Sequence, residues 1–374
     1  MHLQVATKFP RKSTAPCLNI YFKQALLLYY QPMKATVILL TYNQESSVER
    51  ALKSLLAQEC TYPYEILVAD DSSSDNTRQI CLKLAKSNPN IIRMMPVLPN
   101  RGLVGNYFDA FEEARGEYIS DCAGDDEWLD PKRLQKSIEL LDSDPSLSAV
   151  FTNVEIRKTV TEEQLKNTDI KRQNKIRNST NHIKNTDTIS HTSDNPEYAR
   201  WMRPRIPGRE ILKGLFNHRK TLPYILSSAL YRKESVMKIY SKDKEMIRNP
   251  EGGVEDVPLI AALASQGDAA YIPIDGYRYY LEEESVSNSK SPAKLYRFYS
   301  RVLTLIGTLS LYYGIPLQNN SDYFKRLTLY LASLARLARE PELASDLKRR
   351  ASAWPQRLPM KARLHLLLLK VIKR

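Results

Sequence analysis

The run from Lys34 to Thr41, Lys-Ala-Thr-Val-Ile-Leu-Leu-Thr, restricts this chain more than any other stretch. It is aliphatic and β-branched without polar alternation, the pattern of a strand covered on both faces inside a parallel sheet. Val48, Ala51, Leu52, Leu55 and Leu56 then recur at helical spacing, with Ser46 or Ser47 available as N-cap. Tyr64 to Ala69 repeats the strand pattern, and Ile80, Leu82 and Leu84 open a second helix. Ile91 to Met95 is a third strand, and Asn100-Arg101-Gly102 turns the chain into a helix carrying Val104, Tyr107, Phe108 and Phe111. A fourth strand ends near Ser120, a helix follows Pro131, and Leu147 to Val154 supplies a fifth strand. This alternation predicts an α/β fold with a mostly parallel sheet covered by helices and joined by right-handed crossovers.

In such sheets ligands sit beyond the carboxyl ends of the strands, where strand order reverses. Tyr42-Asn43, Asp70-Asp71 and Asp125-Asp126 all fall at expected carboxyl ends, so three polar clusters should share one rim. The stretch Ile119 to Asp130 holds the densest carboxylates. Placed there, they can hold a hard divalent cation whose other positions go to water and phosphate. A solvated acidic turn is the competing reading of the same residues. No GxGxxG follows the first strand and no GxxxxGK[ST] occurs, so a nucleotide would need carboxylates and metal rather than a glycine cradle.

From Glu155 to about Asn195 the chain is polar, rich in Lys, Asn and Thr, and reads as a long surface insertion. Pro223 to Tyr231 reads as a strand, Leu259, Ile260 and Leu263 as a short buried helix, Asp268 to Ile274 and Tyr277 to Leu281 as two strands, and the chain beyond Ser291 as helical. The net charge of +13 is uneven: residues 34–150 hold 12 Lys+Arg against 19 Asp+Glu, and the remainder 43 against 23. A basic surface attracts polyanions without choosing among them. The tail from Pro355 to Arg374 has six cations and no acid around Leu364 and Leu366 to Leu369. That suits either a helix lying on an anionic membrane or one docked on the core. No apolar run is long enough to span a bilayer, and four scattered cysteines favour a reducing compartment. Met33 stands directly before the first strand, so translation is expected to begin there and residues 1–32 to be an untranslated extension.

Thr36 to Asn43, Ala51 to Gln58, and Glu65 to Thr77, followed in order by Asn100-Arg101-Gly102, Gly116 to Ile119 and Gly124-Asp125-Asp126-Glu127-Trp128, resemble family 2 glycosyltransferases of the GT-A fold. The resemblance covers residues 34–155 well and Pro223 to Ser287 more loosely. It implies an inverting transferase using a nucleotide-diphosphate sugar and Mn²⁺ or Mg²⁺. On that analogy Thr41, Tyr42 and Asn43 border the base, Asp70 or Asp71 hydrogen-bonds it, Asn100 and Gly102 belong to the nucleotide site, and Asp125 binds the metal with Asp126 in support. The family's first metal carboxylate falls at Ala123, which implies weaker unaided metal binding. Asp121 is read as structural. Glu255-Asp256 matches the pair that supplies the catalytic base, assigned to Asp256, although the residues alone favour an ordinary helix N-cap. Arg278, in Tyr277-Arg278-Tyr279-Tyr280, is placed at the diphosphate.

The implied organisation is an N-terminal extension (1–32), a nucleotide-sugar-binding half (33–155), a polar insertion (156–195), an acceptor-binding and catalytic half (196–290) and a helical C-terminal region with a basic amphipathic tail (291–374). The expected function is sugar transfer from a UDP-type donor to a glycan or lipid-linked glycan in cell-surface polysaccharide synthesis. The cytoplasm, or the inner face of its membrane, is the expected place. The alternative is a degenerate nucleotide-sugar or polyanion binding module on the same fold. Nucleic acid is not an expected partner, because interleaved aromatics and a known module are lacking.

Overall fold

Burial on both faces is what β1 (Ala35–Thr41) achieves: all seven residues are buried. Val37 and Leu39 enter one apolar cluster, while Ile38 and Leu40 enter another on the opposite face. That is the two-residue period of a strand sandwiched between two layers. The computed structural model describes residues 32–161, 185–217, 223–248, 253–281, 289–315, 317, 322–353 and 359–363.

After β1 come α1 (Val48–Leu56), β2 (Tyr64–Asp70), α2 (Thr77–Ser87), β3 (Ile92–Met94), α3 (Gly102–Glu113), β4 (Tyr118–Ala123), β5 (Glu127–Trp128) and α4 (Arg133–Ser143). Next are β6 (Leu147–Thr161), β7 (Asn185–His191), α5 (Pro196–Ala199), α6 (Gly208–Asn217), a 3₁₀ turn at Leu226–Ser228 and β8 (Ala229–Arg232). The chain continues through α7 (Lys233–Tyr240), α8 (Lys244–Arg248), α9 (Asp256–Gln266), β9 (Asp268–Leu281), α10 (Pro292–Tyr312), α11 (Asp322–Ala338) and α12 (Pro341–Ala353).

The sheet runs β3-β2-β1-β4-β8-β6-β9-β5, with β7 added to β6. β1, β2, β3 and β4 are mutually parallel, β6 is parallel to β9, and β8, β5 and β7 run antiparallel to their neighbours. Strand order reverses between β1 and β4, because the chain first builds outward through β2 and β3 and then returns to the other side of β1. The buried faces of α1 (Val48, Ala51, Leu52, Leu55) and α4 (Leu134, Ile138, Leu141) pack on one side of the sheet. Those of α3 (Val104, Tyr107, Phe108, Phe111) and α9 cover the other. α10 gives Val302, Ile306 and Leu309 to that second cluster and Tyr296 and Leu303 to a third, shared with α11 and α12. No helix among the described residues is long and apolar enough to cross a membrane.

The structure departs from the sequence reading in three places. β6 continues to Thr161 and pairs with β7 inside the stretch expected to be a polar insertion. Backbone pairing on both sides, to β9 and to β7, carries that extension, so it needs no apolar pattern. The expected strand at Pro223 begins instead with the 3₁₀ turn and reaches strand geometry only at Ala229. The two strands expected over 268–281 are one strand, β9, with register shifts against Thr152–Val154. Gly276 permits the close approach there, since a Cβ would lie 2.3 Å from Thr152 Oγ1. The N-terminal extension up to residue 31, Glu251-Gly252, Ser285 to Ser287 and the tail beyond residue 363 lie outside the described residues.

Candidate active site

The rim at the reversal point is built by loops leaving β1, β2 and β4. Thr41 faces Asp70 in register, and the Asp71 N–H donates to Thr41 O at 3.0 Å. Asn43 adopts φ 52°, a left-handed conformation that Asn tolerates better than most residues. Its N–H donates to Ser73 Oγ (2.9 Å) and its Oδ1 accepts from the Ser74 N–H (2.8 Å), which locks the β1 exit to the β2 exit. Tyr42 remains 51% exposed on the outer side.

Asp70 and Asp71 are both buried and both organise the loops around them. Asp70 accepts the hydroxyl of Ser73 and lies 3.7 Å from Arg78. Asp71 Oδ1 accepts the Arg101 N–H at 2.7 Å, while Asn100 donates to Asp71 O at 2.9 Å. Gly102, at φ 70°, starts α3 from this junction. The structure thus brings Thr41, Tyr42, Asn43, Asp70, Asp71, Asn100 and Gly102 to one edge.

Beyond β4 the Gly124 N–H donates to Leu40 O at 2.8 Å. A Cβ on Gly124 would meet Gln44 Oε1 at 2.5 Å and Thr41 Oγ1 at 2.7 Å, so glycine lets the β4 exit press against the β1 exit. Asp125 follows at the surface, its carbonyl held by Arg50 at 2.6 Å. Asp126 turns inward and is 3% exposed. Its Oδ2 accepts from the Tyr277 hydroxyl (2.7 Å) and its Oδ1 from the Tyr280 N–H (2.9 Å). Burial and the neighbouring charge of Asp125 push it up to about 8. Asp126 therefore joins the β4 exit to β9. Among the described residues no three His, Cys, Asp or Glu side chains converge on a metal position. This does not fit an ion caged by protein alone; an ion that completes its ligands with water and phosphate would be held here by Asp125.

Arg278 is engaged elsewhere than expected. Its Nε meets Glu155 and its Nη1 meets Glu127, both at 2.5 Å. Those two carboxylates make it a clamp between β5, β6 and β9.

A second acidic group lies beneath the rim. Glu255 and Asp256 open α9, and Asp121, on β4, is close enough to feel the charge of Asp256. Burial pushes Asp121 up to about 6, opposed by the Ser227 hydroxyl and Arg133 and reinforced by Asp256. Burial likewise raises Glu255 to about 8, with Asp256 and Asp121 adding to the rise. The hydroxyls of Tyr107 and Tyr231 bond each other beside this group.

Arg133, 1% exposed, was not singled out from sequence, where it reads as an ordinary polar position of an amphipathic helix. Its guanidinium lies 3.7 Å over Trp128 and donates to Ser227 O at 2.7 Å, Ser120 Oγ at 3.2 Å and Gly276 O at 3.2 Å. The one available signal was its place directly after the acidic stretch, on a helix that must pack against the same strand end.

Residues 36–194 match the family model described as Glycosyl transferase family 2. An uncharacterized protein of Mycobacterium tuberculosis is 36% identical over 121 residues, 32% of this chain and 35% of that protein. The GalNAc(5)-diNAcBac-PP-undecaprenol beta-1,3-glucosyltransferase of Campylobacter jejuni is 33% identical over 96 residues, 26% of this chain and 31% of that enzyme. The chain thus matches about a third of the length of these curated relatives. Among solved structures, S. aureus TarS 1-349 in complex with UDP-GlcNAc aligns with a TM-score of 0.51 at 18% identity, covering 86% of this chain and 82% of that one. That likeness concerns the fold. The chain folds as a GT-A-type α/β protein, and over residues 36–194 it is similar to glycosyl transferase family 2.

Proposed function

We propose that the protein is an inverting glycosyltransferase that moves a sugar from a nucleotide-diphosphate donor to a glycan or lipid-linked glycan of the cell surface. The observation carrying this reading is the convergence of the β1, β2 and β4 exits on one rim, with the Glu255-Asp256 pair opening α9. In this reading Thr41, Tyr42, Asn43 and the loops shaped by Asp70, Asp71, Asn100 and Gly102 receive the nucleotide. Asp125 faces the diphosphate. Asp256 takes the proton of the acceptor hydroxyl as that oxygen attacks the anomeric carbon and the bond to the diphosphate breaks. Glu255 supports the base. Bound Mn²⁺ or Mg²⁺ would supply compensation for the charge of the departing diphosphate. The lipid-linked acceptor is favoured by the undecaprenol-linked substrate named for the Campylobacter relative, which also motivates a place at the inner face of the cytoplasmic membrane.

Asp256→Asn tests the assignment. Donor binding should survive, while transfer should fall by at least about 100-fold. Transfer at the wild-type rate would refute the assigned base. Ala123, where a second carboxylate would have strengthened the metal site, motivates a second reading as a nucleotide-sugar binding module. Saturable donor binding without turnover on any donor and acceptor pair would select it.

A further inference from the structure

The two sides of α11 differ in an uncommon way. On the inner side Phe324, Leu327, Leu331 and Leu334 are buried in the cluster shared with α10 and α12. On the opposite side Arg326, Tyr330, Ser333 and Leu337 recur at helical spacing, with Lys325, Leu329 and Arg336 in the row beside them. Tyr330 is 40% exposed and Leu337 60%. A helix that meets only water on its outer side carries charged and polar residues there. Here two large apolar side chains stand among cations, and no acid occurs from Phe324 to Arg339.

The charge of this region says what covers that face. Residues 291–374 hold 16 Lys+Arg against 4 Asp+Glu, so 12 of the chain's 13 net positive charges lie here. Two of the four acids are engaged within the region: Glu340 meets Arg297 at 3.0 Å, and Asp346 meets Arg349 and Arg350 at 2.5 and 2.7 Å. A second copy of the chain would set like charges against each other across such a face. Water would leave the leucine and the tyrosine uncovered. An anionic bilayer surface suits both kinds of side chain. Its headgroups attract Lys and Arg, and its interfacial zone takes up leucine side chains and tyrosine rings whose hydroxyls stay hydrated.

Aromatic contacts run from this face to the candidate active site. The Tyr330 ring meets Tyr299 of α10 edge to face at 5.4 Å between centroids, and Tyr299 meets Phe298 at 5.0 Å. Phe298 lies 4.0 Å from the position a Cβ would take on Gly253, two residues before Glu255.

We propose that the outer face of α11 is a docking surface for an anionic lipid bilayer, with Tyr330 and Leu337 entering the interfacial zone and Lys325 and Arg326 facing the headgroups. Docking in this way holds residues 253–256 three aromatic rings away from the bilayer, where a lipid-linked acceptor would be presented. That consequence rests on the reading of Asp256 as the base; attachment to the bilayer does not.

Co-sedimentation of the full chain with vesicles tests the attachment. One set is phosphatidylcholine alone and the other an equal mixture with phosphatidylglycerol, each with wild type, Leu337→Gln and Lys325→Gln/Arg326→Gln. Wild type should bind only the acidic vesicles at about 0.1 M salt and leave them at about 1 M, as the screening length falls from about 10 Å to about 3 Å. The double variant should bind them at least about tenfold more weakly, since each Lys or Arg near an acidic surface contributes about fivefold. Leu337→Gln should bind several-fold more weakly and keep the salt dependence. Both variants should melt close to wild type, because the altered side chains are exposed. Wild type that stays in solution with acidic vesicles would overturn the proposal, whatever the fate of the variants. So would folded variants that bind as tightly as wild type, the result expected of attachment through the basic tail alone. Vesicle binding is read without turnover, so failure of the Asp256 assignment would leave this comparison decisive.

Discussion

Arg133→Met removes the guanidinium but keeps most of the stem and its packing. Not every partner of Arg133 is orphaned by the change. Gly276 O keeps the Leu129 N–H at 3.2 Å, and Ser120 Oγ keeps its bond to Ala229 O at 2.6 Å. Ser227 O loses the donor at 2.7 Å, a loss of about 1–3 kcal/mol for a carbonyl held in the interior. The stacking over Trp128 at 3.7 Å contributes about 1–2 kcal/mol more in a desolvated setting. Against this stands the relief of no longer burying a cation, whose cost shows in a guanidinium pulled down to about 10 by burial. The balance is a destabilisation of about 2–3 kcal/mol, or a melting temperature lower by roughly 3–4 °C in a chain of this size. Differential scanning calorimetry at pH 7 reads it directly. A variant melting within about 1 °C of wild type would refute the reasoning that Arg133 holds the 3₁₀ turn to β4 and β9.

Glu65 is buried between β1 and β3, where burial opposes its charge but Arg93, the Arg115 N–H and the Thr36 hydroxyl hold its carboxyl below the ordinary value. Its contribution is present above the unfolded glutamate value of about 4.3 and is lost as pH falls through the folded value. Glu65→Gln should cost about 2 kcal/mol at pH 7, less than a fully enclosed pair because the Arg93 side chain is 25% exposed, and progressively less in acid. An equal cost at pH 7 and pH 3 in chemical denaturation would contradict it. Ala123→Asp, at the last residue of β4, should tighten Mn²⁺ binding measured by electron paramagnetic resonance in the presence of a nucleoside diphosphate. Unchanged affinity would place the ion elsewhere.

Much of this arrangement is legible in sequence because it depends on local periodicity. β1 and β2 carry apolar side chains on both faces, so their burial is written in composition, and α1, α3 and α4 show their core stripes directly. The polar residues that follow those strands come together because a parallel sheet aligns all the carboxyl ends. What sequence concealed depends on partners far along the chain. Asp126 looks like a second cation ligand until Tyr277 and Tyr280, about 150 residues later, take both of its oxygens. Arg278 looks free for an anion until Glu127 and Glu155 are seen on either side of it. The β6–β7 extension is held by backbone pairing, which leaves no apolar signature. Asp121 occupies an interior strand position, and its hydrogen-bond partner, the Ser227 hydroxyl, lies 106 residues along the chain.

The central claim is that the rim at the β1–β4 reversal receives a nucleotide-diphosphate sugar through Asp125. A thermal-shift comparison of wild type and Asp125→Asn with UDP-, GDP-, dTDP- and CMP-sugars, each with and without Mn²⁺, tests it most directly. Wild type should be stabilised by about 2.7 kcal/mol at a ligand concentration 100 times Kd for its preferred donor. The metal-dependent part of that gain should vanish in Asp125→Asn. Stabilisation of equal size in both proteins, or none with any donor, would contradict the account.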